Sequence, residues 1–171
     1  YAHEWREFLF HLERVWERAL NAYESRSSFQ KLNQKYRKLR KGDPLLRYLK
    51  QARNAETHTL QGTLTSPLNI MVRDKSGRPF NLSRLDTTLV DGCLTIDIRT
   101  HDILLDLDAD VSRGTPSLAR FLCRGKWYNP PSSHLGNRLS TQNPVVVGKI
   151  GLDCCRHFVQ EIAKTEENRD S

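Results

Sequence analysis

Long hydrophobic runs are missing from this sequence, and their absence bounds the class of protein. The apolar stretches extend over only a few of the 171 residues, whereas a membrane-spanning helix needs about 20 consecutive apolar residues. The first 23 residues carry charged side chains inside their apolar pattern, unlike a secretory signal peptide, among them Glu4, Arg6, Glu7, Glu13 and Arg14. We therefore expect a cytoplasmic protein that does not enter a membrane.

Cysteine is scarce, and its spacing suits neither a disulfide framework nor a zinc site. None of the four cysteines forms a CxxC pair, which is the spacing that structural zinc sites commonly use. The acidic residues between positions 97 and 110 lack the glycine and the closing glutamate of an EF-hand loop. We therefore expect reduced thiols, no metal and no cofactor.

Acidic residues are outnumbered, with 20 Asp and Glu against 27 Lys and Arg, which gives a formal net charge of +7. The surplus is concentrated in six basic residues within positions 31–41, where no acidic residue occurs: Lys31, Lys35, Arg37, Lys38, Arg40 and Lys41. Cations that neutralise phosphates release counterions, so we expect this segment to bind a polyanion such as RNA. The alternative is a solvated basic face of a helix.

Apolar residues at helical spacing are plentiful near both ends of the chain. They predict four helices, near residues 2–24, 28–41, 44–60 and 143–165. Asp43 and Asn143, each followed by proline, are good caps for the third and fourth helices. For the second helix, Ser27 or Ser28 is the expected cap.

The middle of the chain, residues 61–142, is β-prone and rich in turn signals. Asp91-Gly92 lies between two β-prone runs and predicts a hairpin. Residues 102–108 predict a further strand, and the prolines and glycine of residues 128–139 predict a loop. We therefore predict a single α+β domain, in which a small antiparallel β section is inserted into a helical bundle. Three N-terminal helices and the closing helix form that bundle, in which the closing helix packs against the first.

One short stretch is a candidate for catalysis. Residues 53–58 read RNAETH at the end of the third predicted helix. This stretch resembles the R-x4–6-H motif of the HEPN superfamily, whose members are small helical bundles and often dimeric, metal-independent ribonucleases. The resemblance covers residues 1–60 and extends to the last helix. It implies catalytic roles for Arg53, Asn54 and His58, a homodimer, and RNA as substrate in a toxin or defence system.

The side chains of this stretch suit cleavage of RNA without a metal. His58 is a general acid or base that works near neutral pH, and Arg53 can stabilise charge on the phosphorane. Asn54 lies four residues before His58 and can orient its ring. Arg53 and His58 lie about 140° apart around the helix. A symmetric dimer could therefore unite two motifs at one phosphate.

Other hypotheses fit the same residues. Arg53 could pair with Glu56 or with the helix end, and His58 could simply favour the negative end of the helix. The spacing alone is weak evidence, since Arg6 and His11 match it too. The protein would then be a non-catalytic HEPN-like dimerisation or interaction module, or a protein whose β section binds a ligand or another protein.

A second resemblance concerns the stretch YNPPSSHLG at residues 128–136. It resembles a segment that recurs in bacterial proteins with an ARNAxxH-type helix upstream. This resemblance implies no particular activity. His134 within it could line a site or, as the alternative, bond to the backbone of its loop.

Overall fold

The computed structural model describes residues 1–58, 62–73, 76–79, 85–90, 93–98 and 108–167. The chain divides into two compact units, of which the first combines Tyr1–Thr65 with Pro116–Ser171 and the second is Ser66–Thr115. Within the described part of the chain, none of the helices has the length and apolar character to span a bilayer. The single-domain organisation stays a prediction.

The helices are α1 (Ala2–Tyr23), α2 (Ser27–Gly42), α3 (Pro44–His58) and α4 (Pro144–Glu167). They confirm the four predicted helices to within a few residues at each end, while residues 59 and 60, predicted to extend α3, lie outside the described residues. The predicted serine cap of α2 is wrong, because Arg26 occupies the N-cap position and makes no side-chain cap hydrogen bond.

The two predicted caps that precede a proline are confirmed. Asp43 Oδ1 accepts a hydrogen bond of 2.9 Å from the N–H of Leu46, and Asn143 Oδ1 accepts one of 2.9 Å from the N–H of Val145. Asp43 is also the single residue between α2 and α3, and its N–H donates to the carbonyl of Leu39 at 2.8 Å. The joint between these helices is therefore short and hydrogen-bonded on both sides.

Aromatic side chains form much of the core between the helices. Trp16 of α1 stacks on Phe158 of α4 with ring centroids 4.1 Å apart, and Phe29 and Tyr36 of α2 pack around Phe158. A Cβ at Gly151 would collide with Leu49, so glycine allows α4 to approach α3 closely. The predicted packing of the closing helix against the first is confirmed, together with the helical bundle.

The strands are short: β1 (Leu64–Thr65), β2 (Leu68–Arg73), β3 (Leu85–Val90), β4 (Cys93–Ile98), β5 (Asp108–Arg113), β6 (Ser117–Leu118), β7 (Phe121–Cys123), β8 (Lys126–Tyr128), β9 (Ser133–His134) and β10 (Asn137–Arg138). They form antiparallel pairs, which confirms the α+β class. In the first unit β1 pairs with β6, β7 with β8 and β9 with β10. The last pair corrects the predicted loop at residues 128–139, which contains a tight hairpin.

The second unit contains two strand pairs. In one, β2 pairs with β5, and Leu68 lies opposite Arg113. In the other, β3 pairs with β4, and Val90 lies opposite Cys93. The predicted hairpin is thus confirmed, although its turn at residues 91 and 92 lies outside the described residues. Of the strand predicted at residues 102–108, only Asp108, where β5 begins, is described.

Candidate functional site

A groove of about 580 Å³ between α2 and α3 collects basic side chains from both helices. A single residue, Asp43, joins the two helices, and side chains from the last turns of α2 and the first turns of α3 line the same groove. Six of the residues lining the groove are basic, namely Arg37, Lys38, Arg40, Lys41, Arg47 and Lys50. The other lining residues are uncharged, namely Gln30, Asn33, Gln34 and Gln51. The groove is therefore a strongly positive channel with polar walls.

The basic residues predicted to bind RNA have different surroundings in the structure. The groove includes Arg37, Lys38, Arg40 and Lys41, of which all but Arg40 are exposed. Lys35 instead reaches α4, where its Nζ lies 2.9 Å from Glu161 Oε1. Lys31 is exposed on α2.

Arg40 differs from its neighbours because it is embedded in the bundle. Its side chain is only 13% exposed and pairs with Glu13 of α1. Its guanidinium carbon also lies 4.4 Å from the centroid of the Trp16 ring. These contacts give Arg40 a structural role beneath the groove, since its charge is already satisfied by the protein.

Lys50 occupies an electrostatically unfavourable position in the groove, although the residue is exposed as a whole. Partial desolvation lowers the pKa of its ammonium, and repulsion from Arg40, Arg37 and Lys41 lowers it further, against an opposing effect of Glu13. Desolvation and like-charge repulsion therefore both disfavour the charged form of Lys50. A bound anion would relieve that repulsion.

Arg47 and Lys50 were missed by sequence reasoning, which assigned the basic surface to residues 31–41 alone. Both lie on α3, and only the tight joint at Asp43 brings them beside the basic end of α2. One signal in the sequence could have indicated them: Asp43-Pro44, a cap followed by a proline, comes directly after a basic helix. That signal predicts two adjoining helices, and the tertiary packing decides which of their faces meet.

Arg53 of the predicted catalytic stretch is half-buried and held by neighbouring side chains. Its side chain is 21% exposed, and its Nη2 lies 3.6 Å from Glu17 Oε1. The guanidinium carbon lies 5.9 Å from the centroid of the Phe10 ring, and Nη1 donates to Asn54 Oδ1 at 3.4 Å. These contacts hold the Arg53 side chain against α1.

The pairing of Arg53 with Glu56, which was one alternative, is not found, since both side chains have other partners among the described residues. Glu56 lies 3.3 Å from Arg6 Nε and accepts hydrogen bonds of 2.8 Å from the N–H and hydroxyl of Thr63. Arg53 Nε is buried and has no hydrogen-bond partner among the described residues. A small cavity of about 220 Å³ adjoins Arg53, Phe10 and Glu56.

The rest of the predicted catalytic stretch continues along the groove-side face of α3. Asn54 Nδ2 donates to Gln51 Oε1 at 3.5 Å, and Gln51 lines the groove. His58 is the last residue of α3, and its side chain lies outside the described residues. By the helical period, Arg47, Gln51, Asn54 and His58 share one face. Asn54 and His58 thus lie at the far end of a polar face that begins in the groove, whereas Arg53 contacts α1.

His134 fixes a loop to the start of α3. Its Nδ1 donates to Asp43 Oδ1 at 3.0 Å, and the N–H of Leu135 donates to Asp43 Oδ2 at 2.7 Å. Burial alone would raise the pKa of Asp43, but the hydrogen bonds from Leu135, Leu46 and His134 bring it below its usual value. His134 therefore bonds to the side chain of Asp43, which precedes α3, in place of the backbone of its own loop.

The described residues contain no group of three or more His, Cys, Asp or Glu that is placed to hold a metal ion. Cys123, Cys154 and Cys155 are free thiols. Burial raises the pKa of the Cys155 thiol to about 11, which disfavours the thiolate that zinc binding requires.

No family model, curated protein or solved structure matches this chain. The resemblance of residues 53–58 to the HEPN motif has no further support from relatives and stays a prediction. The positive groove and the polar face of α3 are the features from which a function can be inferred.

Proposed function

We propose that this protein binds RNA in the groove between α2 and α3. The observation that carries the proposal is a set of five exposed cations from two helices that line one channel: Arg37, Lys38, Lys41, Arg47 and Lys50. None of these five side chains makes an ion pair with a described residue. Their charge is therefore available to an external polyanion.

The electrostatics of the groove supports an anionic ligand over a purely structural role. Desolvation and repulsion lower the pKa of Lys50, so the empty groove disfavours its own charge. A phosphate backbone would reverse that effect, because each neutralised phosphate also releases counterions. Sequence-independent contacts of this kind correspond to dissociation constants of roughly 10⁻⁴–10⁻⁶ M at physiological salt.

The test compares charge reversal in the groove with the same change elsewhere. One variant carries Arg37→Glu, Lys41→Glu and Lys50→Glu, and the matched control carries Arg18→Glu, Lys149→Glu and Lys164→Glu at exposed positions of α1 and α4. Both variants change the net charge equally. We expect the groove variant to lose at least about tenfold in RNA affinity, and the control to lose much less. An equal loss in both would mean that net charge, and not the groove, attracts the RNA.

A second candidate function is cleavage of the bound RNA at Arg53, Asn54 and His58. Two observations favour it: the buried Nε of Arg53 lacks a hydrogen-bond partner among the described residues, and the face of α3 that lines the groove continues to His58. RNA that follows this face would pass the histidine. Arg53 would then have to exchange its contact with Glu17 for a phosphate oxygen.

The proposed reaction needs one base and one acid. The 2′-oxygen attacks the neighbouring phosphorus, the bond from phosphorus to the 5′-oxygen breaks, and the products are a 2′,3′-cyclic phosphate and a 5′-hydroxyl. His58 takes the proton from the 2′-hydroxyl, and His58 of a second copy donates a proton to the leaving oxygen. A homodimer is part of this proposal, because each chain brings one such histidine.

His58→Ala tests cleavage, with His11→Ala as the matched control, because Arg6 and His11 have the competing spacing. His11 is exposed and lies 3.7 Å from Glu7 on its own helix. We expect His58→Ala to lower the cleavage rate about 10²–10⁴-fold and to leave RNA affinity unchanged. We also expect EDTA to leave the cleavage rate of the wild-type protein unchanged. If wild-type protein binds RNA and leaves it intact, the protein is an RNA-binding module without this activity.

A further inference from the structure

A second cavity, of about 260 Å³, adjoins the groove at the start of α3. It lies between α3 and the β7–β8 hairpin, and its lining includes Arg47, Tyr48, Lys126, Trp127, Asn129 and Ser132. Arg47 lines both the groove and this cavity. A ligand that follows the cations of the groove would therefore meet the cavity directly after Arg47.

Trp127 is the most unusual residue of this cavity. It is 49% exposed, whereas large aromatic side chains are mostly buried on average. The neighbouring aromatic residue Tyr128 packs instead on the buried ring of Phe121, with centroids 5.6 Å apart. The guanidinium carbon of Arg120 lies 4.0 Å from the centroid of the Trp127 ring. This contact restrains the orientation of an exposed indole ring.

An exposed aromatic ring beside a basic groove matches the chemistry of single-stranded nucleic-acid binding. In such proteins a positive groove follows the phosphates while aromatic side chains stack on the bases, and the stacking tolerates any base. In a duplex the bases are stacked inside the helix and cannot reach such a ring, whereas unpaired bases can. The amide of Asn129 and the hydroxyl of Ser132 line the same cavity and offer hydrogen bonds to a base edge.

We infer that the RNA bound by this protein is single-stranded and that one of its bases stacks on Trp127 while its phosphates follow the groove from Arg47. This inference rests on the proposed RNA binding and narrows its ligand to a chain with unpaired bases. The five groove cations favour this occupant over a protein partner, because cores of protein interfaces are depleted in charge.

The experiment measures binding of wild type, Trp127→Ala and Trp127→Phe to three ligands: a single-stranded RNA, an RNA duplex and inorganic polyphosphate. Polyphosphate carries the charge of RNA without bases. We expect Trp127→Ala to weaken single-stranded RNA binding by about tenfold and to leave polyphosphate binding unchanged. Trp127→Phe keeps an aromatic ring and is expected to stay within about threefold of wild type. The duplex is expected to bind wild type and Trp127→Ala equally.

Intrinsic fluorescence supplies a second readout. Trp5 and Trp16 are buried, so Trp127 is the exposed tryptophan of the chain. We expect single-stranded RNA to quench wild-type fluorescence and polyphosphate to quench it much less. In Trp127→Phe the quenching is expected to disappear while binding persists. This combination separates base stacking from a change in folding.

Each other outcome overturns a defined part of the inference. If Trp127→Ala weakens polyphosphate as strongly as RNA, the ring acts through the shape of the surface and not through a base. If single-stranded RNA and polyphosphate both bind Trp127→Ala as tightly as wild type, no base stacks on Trp127. Trp127 is then left as a candidate for contact with a protein. If wild type binds neither RNA nor polyphosphate, the proposed groove function fails together with this inference.

Discussion

The two ends of α3 place basic residues in opposite surroundings. At the N-terminal end, Arg47 and Lys50 are exposed, line the groove and make no ion pair with a described residue. At the C-terminal end, Arg53 contacts Glu17, and Arg6 of α1 pairs with Glu56. Among the described residues, carboxylates therefore pair with Arg53 and Arg6 but not with Arg47 or Lys50.

This difference separates cations that hold the bundle together from cations that are available to a ligand. A pair such as Arg40 and Glu13 has a partner within the bundle, and its removal should cost stability. Side chains such as Arg37 and Lys50 have like charges as neighbours, and their removal should cost binding instead. Substitutions at matched positions can break or sharpen this distinction.

The largest expected effect belongs to the joint that creates the groove. Asp43→Ala removes the cap of α3 and leaves the N–H of Leu135 and the ring of His134 without their acceptor. We expect a loss of about 2–4 kcal/mol and a Tm lower by roughly 5–12 °C. Thermal unfolding measures it, with Asp153→Ala as control, because Asp153 is an exposed partner of Arg156 on α4.

The pH dependence of that loss follows from the lowered pKa of Asp43. The stability that the carboxylate contributes is present above its unfolded pKa of about 4 and is lost as pH falls through the lower folded pKa. The difference in Tm between wild type and Asp43→Ala should therefore shrink in acid. A difference that stayed constant down to the acid range would show that the charge of Asp43 is unimportant.

A smaller effect should distinguish two neighbouring arginines of α2. Arg40→Ala breaks the contacts with Glu13 and Trp16, and we expect a loss of about 1–3 kcal/mol. Arg37→Ala should leave the free energy of unfolding within about 0.5 kcal/mol of wild type and should weaken RNA binding. Chemical denaturation measures the free energy of unfolding of both variants, and an RNA-binding assay on the same samples measures their affinity. Equal destabilisation by both changes would remove the distinction between structural and available cations.

The smallest effect concerns Lys50 and has the opposite sign for stability. Its pKa is lowered first by desolvation and then by repulsion, so Lys50→Gln should raise the Tm slightly at neutral pH while weakening RNA binding severalfold. In wild type, stability should rise as pH increases through the lowered pKa of Lys50 towards the unfolded value of about 10.4. Lys50→Gln should lack that rise. A lower Tm in the variant would contradict the account of repulsion.

Local signals in the sequence predicted much of the fold. Asp43-Pro44 and Asn143-Pro144 predicted where two helices begin, because a cap and a proline act within one turn. The tight β9–β10 turn was missed since it places Leu135 at a φ of 49° ahead of Gly136 at 82°, and a leucine gives no signal for that conformation. The expected cap at Ser27 or Ser28 failed, although both residues suit the role.

The candidate site was harder to predict because it depends on contacts between distant parts of the chain. The basic face of α2 was visible in the sequence, but Arg47, Lys50 and Trp127 join it only through the packing of α3 against α2 and the β7–β8 hairpin. The contacts of Arg53 were not predicted for the same reason. Its contacts, Glu17 and Phe10, lie on α1, more than 30 positions earlier in the sequence.

The salt dependence of RNA binding tests the groove most directly. Five phosphate contacts on a single strand correspond to a slope of about −3.5 in log K against log salt concentration. The variant with Arg37→Glu, Lys41→Glu and Lys50→Glu should have a slope smaller in magnitude by about 2, whereas the control variant at Arg18, Lys149 and Lys164 should keep nearly the wild-type slope. Equal slopes for wild type and the groove variant would contradict the claim that RNA lies between α2 and α3.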